Sequence, residues 1–196
     1  MIGCFYNKNS LNDTLILNVS NEKPIKIDQN NNYCLGFDKN NDVCFINIFN
    51  FSKYSNFDKN YFLFNDQLNK IVMNVCKVDL SKYVNINNFV IGHIDECEEI
   101  SGTHLHKCKV NIGNQILDIV CGAKNARKDL NVVVATIGAI LPNGKRINKG
   151  KLLGIESFGM LCSAKELGIT NKKFNDEGII ELNSIYPVGS SFNEMF

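Results

Sequence analysis

The chain has 196 residues, 44% of them hydrophobic and 10% aromatic, and a formal net charge of +1. This length suits one large domain or two small ones, and the apolar content excludes an intrinsically disordered chain. No apolar run reaches the roughly 20 residues that span a bilayer, and the N-terminus does not resemble a signal peptide, so we predict a cytoplasmic protein.

Residues 1–84 predict a small α+β domain. Its strand-like runs are separated by turn-forming residues and cover residues 2–6, 15–19, 25–27 and 43–49. Asn65 and Asp66 then mark a helix start, ahead of apolar residues at helical spacing: Leu68, Ile71, Val72, Val75 and Cys76. This half contains no histidine and no grouping typical of a catalytic site. The turn-forming residues 85–88 are the predicted junction to a second domain.

Residues 89–196 predict a small closed β-barrel. Strand-like runs cover residues 89–94, 105–110, 115–121, 132–137, 152–155 and 160–162, and the turn at residues 111–114 predicts a hairpin. Ser163 and Glu166 have capping-box spacing, and Gly168 stands at the C-cap of the short helix that they predict. About five short strands are typical of the OB-fold, which presents a nucleic-acid-binding face. The predicted fold class is α+β to mainly β, with a small α+β N-terminal domain followed by an OB-fold barrel.

The small net charge hides a basic second half. Residues 107–173 hold twelve Lys and Arg against four acids, a local balance of +8. Such a field attracts a polyanion, although a solvated basic face would have the same composition. The eight cysteines include no Cys-x-x-Cys pair, and several lie in apolar runs, which indicates buried thiols and not a disulfide framework.

Three segments of the second half resemble a known family. They are residues 121–127 (Cys-Gly-Ala-Lys-Asn-Ala-Arg), residues 138–142 (Gly-Ala-Ile-Leu-Pro) and residues 154–168. In this order they resemble the tRNA-binding OB domain of the phenylalanyl-tRNA synthetase beta subunit, which also occurs in methionyl-tRNA synthetase and in stand-alone proteins. The first half resembles, more weakly, the N-terminal domain of YtpR-type stand-alone proteins. The resemblance implies binding of tRNA without catalysis, with no cofactor and no metal.

Two positions depart from the family pattern. Glu99 and Ile100 stand where the synthetase domain usually has His-Pro, and residues 123–125 read Ala-Lys-Asn where an Ala-Pro-Asn step is common. The first departure argues against a histidine role at that corner. The second adds a cation beside the expected binding loop.

Nine residues are the candidate RNA-binding set: Lys124, Asn125, Arg127, Lys145, Arg146, Lys151, Ser157, Gly159 and Met160. The five cations can neutralise phosphates. The resemblance implies RNA contact for the other four. Among them, an amide suits a base edge or the backbone, small residues allow close approach, and methionine packs either on a base or in the core.

The sequence is also compatible with a second function. The runner-up is a protein-interaction module derived from a synthetase subunit, which would dock on synthetase or ribosomal partners. Related free-standing barrels form dimers, so a homodimer is compatible with the resemblance.

Three enzyme or metal hypotheses have less support. Residues 154–159 miss the Gly-x-Ser-x-Gly elbow of hydrolases by one position, and no histidine follows Ser157. A zinc site would need Cys97, Cys108, His104 and His106, whose spacing matches no tight zinc knuckle. No glycine-rich phosphate loop supports an ATP-dependent synthetase activity.

Overall fold

The structure, a computed structural model, describes residues 1–196 and divides into two compact units. One unit comprises Met1–Ile86 together with Phe196, and the other comprises Asn87–Met195. Strands are the main elements of both units. None of the helices is long and apolar enough to cross a membrane.

The first unit contains a six-stranded sheet in the order β3-β4-β5-β2-β1-β6. The strands, all paired antiparallel, are β1 (Gly3–Tyr6), β2 (Leu15–Asn18), β3 (Lys26–Gln29), β4 (Tyr33–Phe37), β5 (Val43–Ile48) and β6 (Tyr61–Leu63). The predicted β1, β2, β3 and β5 are confirmed, within a residue or two at their ends.

The sequence did not predict β4 and β6. Gly36 interrupts the apolar run of β4, yet the sheet requires glycine there because a Cβ would overlap the ring of Phe45. Strand β6 has three residues, too few for an alternating pattern to be recognised.

The helix α1 (Asp66–Cys76) confirms the predicted helix. Asn65 caps its start, since the Asn65 side chain accepts a hydrogen bond from the backbone N–H of Leu68 at 3.0 Å. Leu68, Val72 and Cys76 recur every fourth residue and lie in one buried cluster with the strand side chains. Burial of this face against the sheet stabilises the helix more than its intrinsic propensity does.

The second unit is built on a five-stranded antiparallel sheet in the order β13-β10-β7-β8-β9. Its strands are β7 (Phe89–Glu99), β8 (His106–Asn111), β9 (Ile116–Cys121), β10 (Asn131–Thr136) and β13 (Gly159–Leu161). Strand β7 pairs with β10 through its first half and with β8 through its second half, and it is bulged between Ile94 and Glu96. The bulge bends β7, so that the sheet curls on itself.

The two edge strands, β9 and β13, approach each other along a seam. The backbone N–H of Phe158 donates to the carbonyl of Asp118 at 2.9 Å, and the N–H of Val120 donates to the Ser157 hydroxyl at 3.1 Å. These bonds nearly close the five strands into a barrel. The predicted OB-like architecture is therefore confirmed, as is the β8–β9 hairpin.

Strand β10 is buried on both faces. Val132 and Val134 belong to the barrel's interior cluster, and Val133 between them is also fully buried. The C-terminal segment runs beside β10, since Leu182 forms a backbone bridge to Asn131, the first residue of the strand, and is itself buried. A strand covered on both sides shows a continuous apolar run instead of alternation.

Two predictions in the second unit are wrong in their details. Residues 152–155 form a hairpin and not one strand: β11 (Gly150–Leu152) and β12 (Ile155–Ser157) flank a two-residue turn at Leu153 and Gly154. Residues 163–168 form turns and not a helix, although the capping box is present, because Gly168 (φ +66°) ends the segment after barely one turn.

Candidate nucleic-acid interface

A basic turn and the β11–β12 hairpin form one side of the candidate interface. In the turn, Gly144 has φ +85°, and the Asn143 side chain accepts a hydrogen bond from the backbone N–H of Lys145 at 3.0 Å. Lys145 is exposed, whereas Arg146 is half-buried and its guanidinium lies 3.4 Å from the carbonyl of Gly138. The turn therefore directs one ammonium outward and holds a guanidinium against the barrel.

Five of the nine candidate residues line a single cleft of about 310 Å³. Residues 145–150 form one wall, and Ser157, Gly159 and Met160 form the other. A second cleft of about 500 Å³ is lined by residues 120–123, Met160 and Leu161, Ser163, Lys165 and Glu166, and Gly178 and Ile179. Met160 lines both clefts, so they adjoin at its side chain, and we call them together the seam groove.

Ser157 shapes the barrel seam next to this groove. Its hydroxyl accepts the hydrogen bond from Val120 and donates to the carbonyl of Gly159 at 3.2 Å. Because both of these partners are backbone groups, the hydroxyl has the contacts of a structural bridge and not those of an activated nucleophile.

Gly159 allows β13 to lie close to β10. A Cβ at this position would stand 2.9 Å from the carbonyl oxygen of Ala135 and 3.3 Å from the Ile119 side chain. The glycine is thus required by packing of the barrel itself, whatever else approaches its outer surface.

The loop that contains Asn125 and Arg127 is tied to the C-terminal segment. The Asn125 amide donates to the carbonyl of Ile179 at 2.9 Å and to Glu181 at 3.0 Å, and its oxygen accepts from the N–H of Ile179 at 3.0 Å. Gly178 (φ +74°) passes so close that a Cβ there would overlap the Asn125 side chain. The hydrogen-bonding groups of this amide therefore already have partners within the barrel.

Arg127 forms a forked pair with Glu181. Its two terminal nitrogens donate to the two carboxylate oxygens at 2.8 and 2.6 Å. These hydrogen bonds lower the pKa of Glu181 to about 2, with a smaller contribution from the Asn125 amide. No sequence pattern indicates Glu181, because 54 residues separate it from Arg127.

The remaining cations differ in how available they are. Lys124, Lys145 and Lys151 are exposed and form no ion pair within the chain. Lys149, by contrast, pairs with Glu156 at 2.7 Å and stands 4.8 Å from the centre of the Phe158 ring. Three of the five candidate cations thus present a free ammonium to the solvent.

The histidine and cysteine cluster has no metal-binding geometry. The Cys97 and Cys108 sulfurs lie 3.7 Å apart on β7 and β8, but no group of three or more His, Cys, Asp or Glu side chains could hold an ion. Cys97, Cys108 and His106 lie in strands of the sheet, and His104 lies in the turn before β8.

The chain is similar to proteins that are associated with tRNA. Residues 89–191 match the family model described as "Putative tRNA binding domain". "Putative tRNA-binding protein YtpR" of Bacillus subtilis is 34% identical, over 97% of this chain and 99% of that protein. Protein MG449 of Mycoplasma genitalium is 35% identical, over 100% of this chain and 89% of its own.

A synthetase subunit matches the second unit alone. The phenylalanine–tRNA ligase beta subunit of Streptococcus agalactiae is 41% identical over 52% of this chain, a match that covers 14% of that subunit. The shared part is thus the barrel and not the bulk of the synthetase subunit. YtpR aligns with nearly the whole sequence, so the similarity to YtpR runs from end to end. The model of the tRNA-binding-domain family covers more than half of the sequence, and this chain therefore belongs to that family.

Proposed function

We propose that the chain binds structured tRNA through the seam groove and its cationic rim, without catalysing a reaction on the RNA. One observation carries the proposal: in a barrel of the tRNA-binding-domain family, five of the nine candidate residues line one cleft. A relative that aligns over 97% of this chain is named a tRNA-binding protein, which supports the same reading. A tRNA ligand also implies a cytoplasmic site of action.

The chemistry of the groove supports a folded RNA as the ligand. Lys124, Lys145 and Lys151 can each neutralise a phosphate, since none has an acidic partner in the chain. Asn125 and Ser157 have their hydrogen-bonding groups engaged by backbone atoms or Glu181, so few free donors are left to read bases. Recognition by shape and phosphate contacts suits this arrangement, and it is typical of binding to double-stranded RNA segments.

The candidate nucleophiles support the non-catalytic part of the proposal. The Ser157 hydroxyl is hydrogen-bonded to two backbone groups. Cys121, which lines the groove, and Cys162, which is fully buried, are the nearby thiols, and burial raises the pKa of both. A thiol held neutral in the core is a poor nucleophile at neutral pH.

Filter binding of total tRNA across a salt series tests the proposal. We expect the affinity to fall steeply as the salt concentration rises, since phosphate contacts release counterions. Replacing Lys124, Lys145 and Lys151 together by Gln should reduce the slope of log K against log salt by about two to three, at about 0.7–0.9 per lost contact.

The control carries the same charge change in the first unit. Lys23, Lys39 and Lys70 are exposed, and their combined replacement by Gln should leave both the affinity and the slope unchanged. Binding that does not depend on salt, or a wild-type chain that does not bind tRNA in low salt, would contradict the proposal.

A second candidate, docking of a protein partner, has one observation in its favour. A cleft of about 650 Å³ on the barrel is lined by no charged residue, and its lining includes the exposed side chains of Ile137 and Val188. A synthetase, a ribosomal protein or a second copy of the chain are the candidate occupants. Replacing both side chains by Ser should then abolish self-association in sedimentation velocity, or pull-down of the partner, while tRNA binding by the seam groove is retained.

A further inference from the structure

Two exposed leucines form the tip of the β11–β12 hairpin. Leu152 is 46% exposed and Leu153 is 65% exposed, and a Cβ on the neighbouring Gly154 would meet nothing within 4 Å. The tip therefore projects from the barrel with its apolar side chains in contact with the solvent. Folding of the barrel gains little from either leucine, because burial of the side chain is what makes an apolar residue stabilising.

The backbone at the tip makes leucine an unfavourable choice. Leu153 has φ +49° and Gly154 has φ +83°, so both central residues of the turn lie in the left-handed region. Two-residue hairpin turns of this kind favour Asn-Gly or Asp-Gly, since a larger L side chain at positive φ is strained. Exposure and strain are independent, and both indicate that the Leu153 side chain serves a contact outside the chain.

The charges around the tip indicate an anionic partner. Lys151 precedes the two leucines, and the basic turn with Lys145 lies a few residues before them. The single acid of the hairpin, Glu156, is paired with Lys149. A partner that matches this surface offers phosphates to the lysines and flat apolar faces to the leucines. RNA with unstacked bases has both properties, and apolar side chains inserted at base steps are a known mode of nucleic-acid contact.

We propose that the Leu152–Leu153 tip is an apolar wedge that packs against unstacked bases of the bound RNA, while Lys145 and Lys151 hold the adjoining phosphates. This inference rests on the proposed function and goes beyond it by assigning a base-contacting element outside the seam groove. The wedge contributes affinity through apolar contact, so its contribution does not depend on salt.

Leu153→Asn is the decisive variant, because Asn tolerates positive φ and preserves the turn. We expect its melting temperature to equal or exceed that of the wild-type chain. In filter binding with tRNA, its dissociation constant should rise roughly tenfold at every salt concentration, with an unchanged slope of log K against log salt. The matched control is Ile185→Asn, which makes a similar change at a side chain that is 73% exposed and has no positive φ.

Each outcome decides the matter. A wild-type chain that does not bind tRNA overturns the proposed function and the wedge together. Wild-type binding that Leu153→Asn does not weaken, or that Ile185→Asn weakens equally, overturns the wedge alone. Flotation with phosphatidylglycerol vesicles covers the alternative partner: if Leu153→Asn abolishes flotation but leaves tRNA binding intact, the tip is a lipid contact and the inference is wrong.

Discussion

At the scale of single residues, Glu181 determines what two of the candidate side chains do. Its carboxylate accepts two hydrogen bonds from Arg127 and one from Asn125, so both of these side chains hold the C-terminal segment against the barrel. Lys124, in the same loop, keeps an exposed ammonium. The sequence identifies residues that are able to contact RNA. Whether such a side chain is free to do so depends on hydrogen-bond and ion-pair partners that are distant along the chain.

The depressed pKa of Glu181 predicts a pH-dependent contribution to stability. Its pKa is about 2 in the folded chain against an ordinary value of 4.5, so the contribution is complete above about pH 4.5 and is lost as the pH falls toward 2. Glu181→Gln should lower the free energy of unfolding by about 1 kcal/mol at pH 7, a value reduced by solvent screening of this half-exposed pair.

Thermal unfolding of Glu181→Gln and wild-type chains at pH 7 and pH 3 measures this contribution. The difference in melting temperature between the two chains should be smaller at pH 3 than at pH 7. Glu177→Gln is the matched control, since Glu177 is exposed and its side chain forms no hydrogen bond or ion pair. A difference that stays the same at both pH values would contradict the assignment.

At the scale of elements, the second unit depends on how its edge strands meet. Ser157 and Phe158 bond β9 across the seam, and Gly159 lets β13 approach β10. The family resemblance implies an RNA-contacting role for Ser157 and Gly159. That role remains a prediction, whereas the contacts of both residues within the barrel are present in the structure. Periodicity does not predict the closure of the barrel, because closure joins strands that are distant along the chain.

Gly159→Ala should destabilise the barrel, since the new Cβ would stand 2.9 Å from the Ala135 carbonyl oxygen. We expect the free energy of unfolding to fall by about 1–3 kcal/mol, the usual cost of overpacking. Gly150→Ala is the control, because a Cβ there meets nothing within 4 Å. Chemical denaturation of both variants decides the point, and equal stability of the two would show that the seam tolerates the methyl group.

At the scale of the whole molecule, each unit has an apolar core of its own. One buried cluster draws all its members from Met1–Ile86, and the barrel's interior cluster draws all of its members from Asn87–Met195. We propose that the units are separate domains, close to the predicted division into residues 1–84 and 89–196.

A fragment of residues 87–195 tests this division. Because its core is self-contained, we expect it to unfold cooperatively in circular dichroism and to bind tRNA within about threefold of the full-length affinity. Gradual unfolding would contradict the independence of the domain. A large loss of affinity in a folded fragment would instead assign part of the RNA site to the first unit.

The family, most of the strands and the helix α1 could be predicted from the sequence, because these depend on local periodicity, capping residues and motifs in order. The sequence also located the basic segment that lines the seam groove. Contacts in the folded chain were needed to show which side chains are free, that residues 152–155 form a hairpin, and how β9 meets β13. The physical reason is that hydrogen-bond partners, steric limits at glycines and strand closure are long-range properties, which a local pattern does not encode.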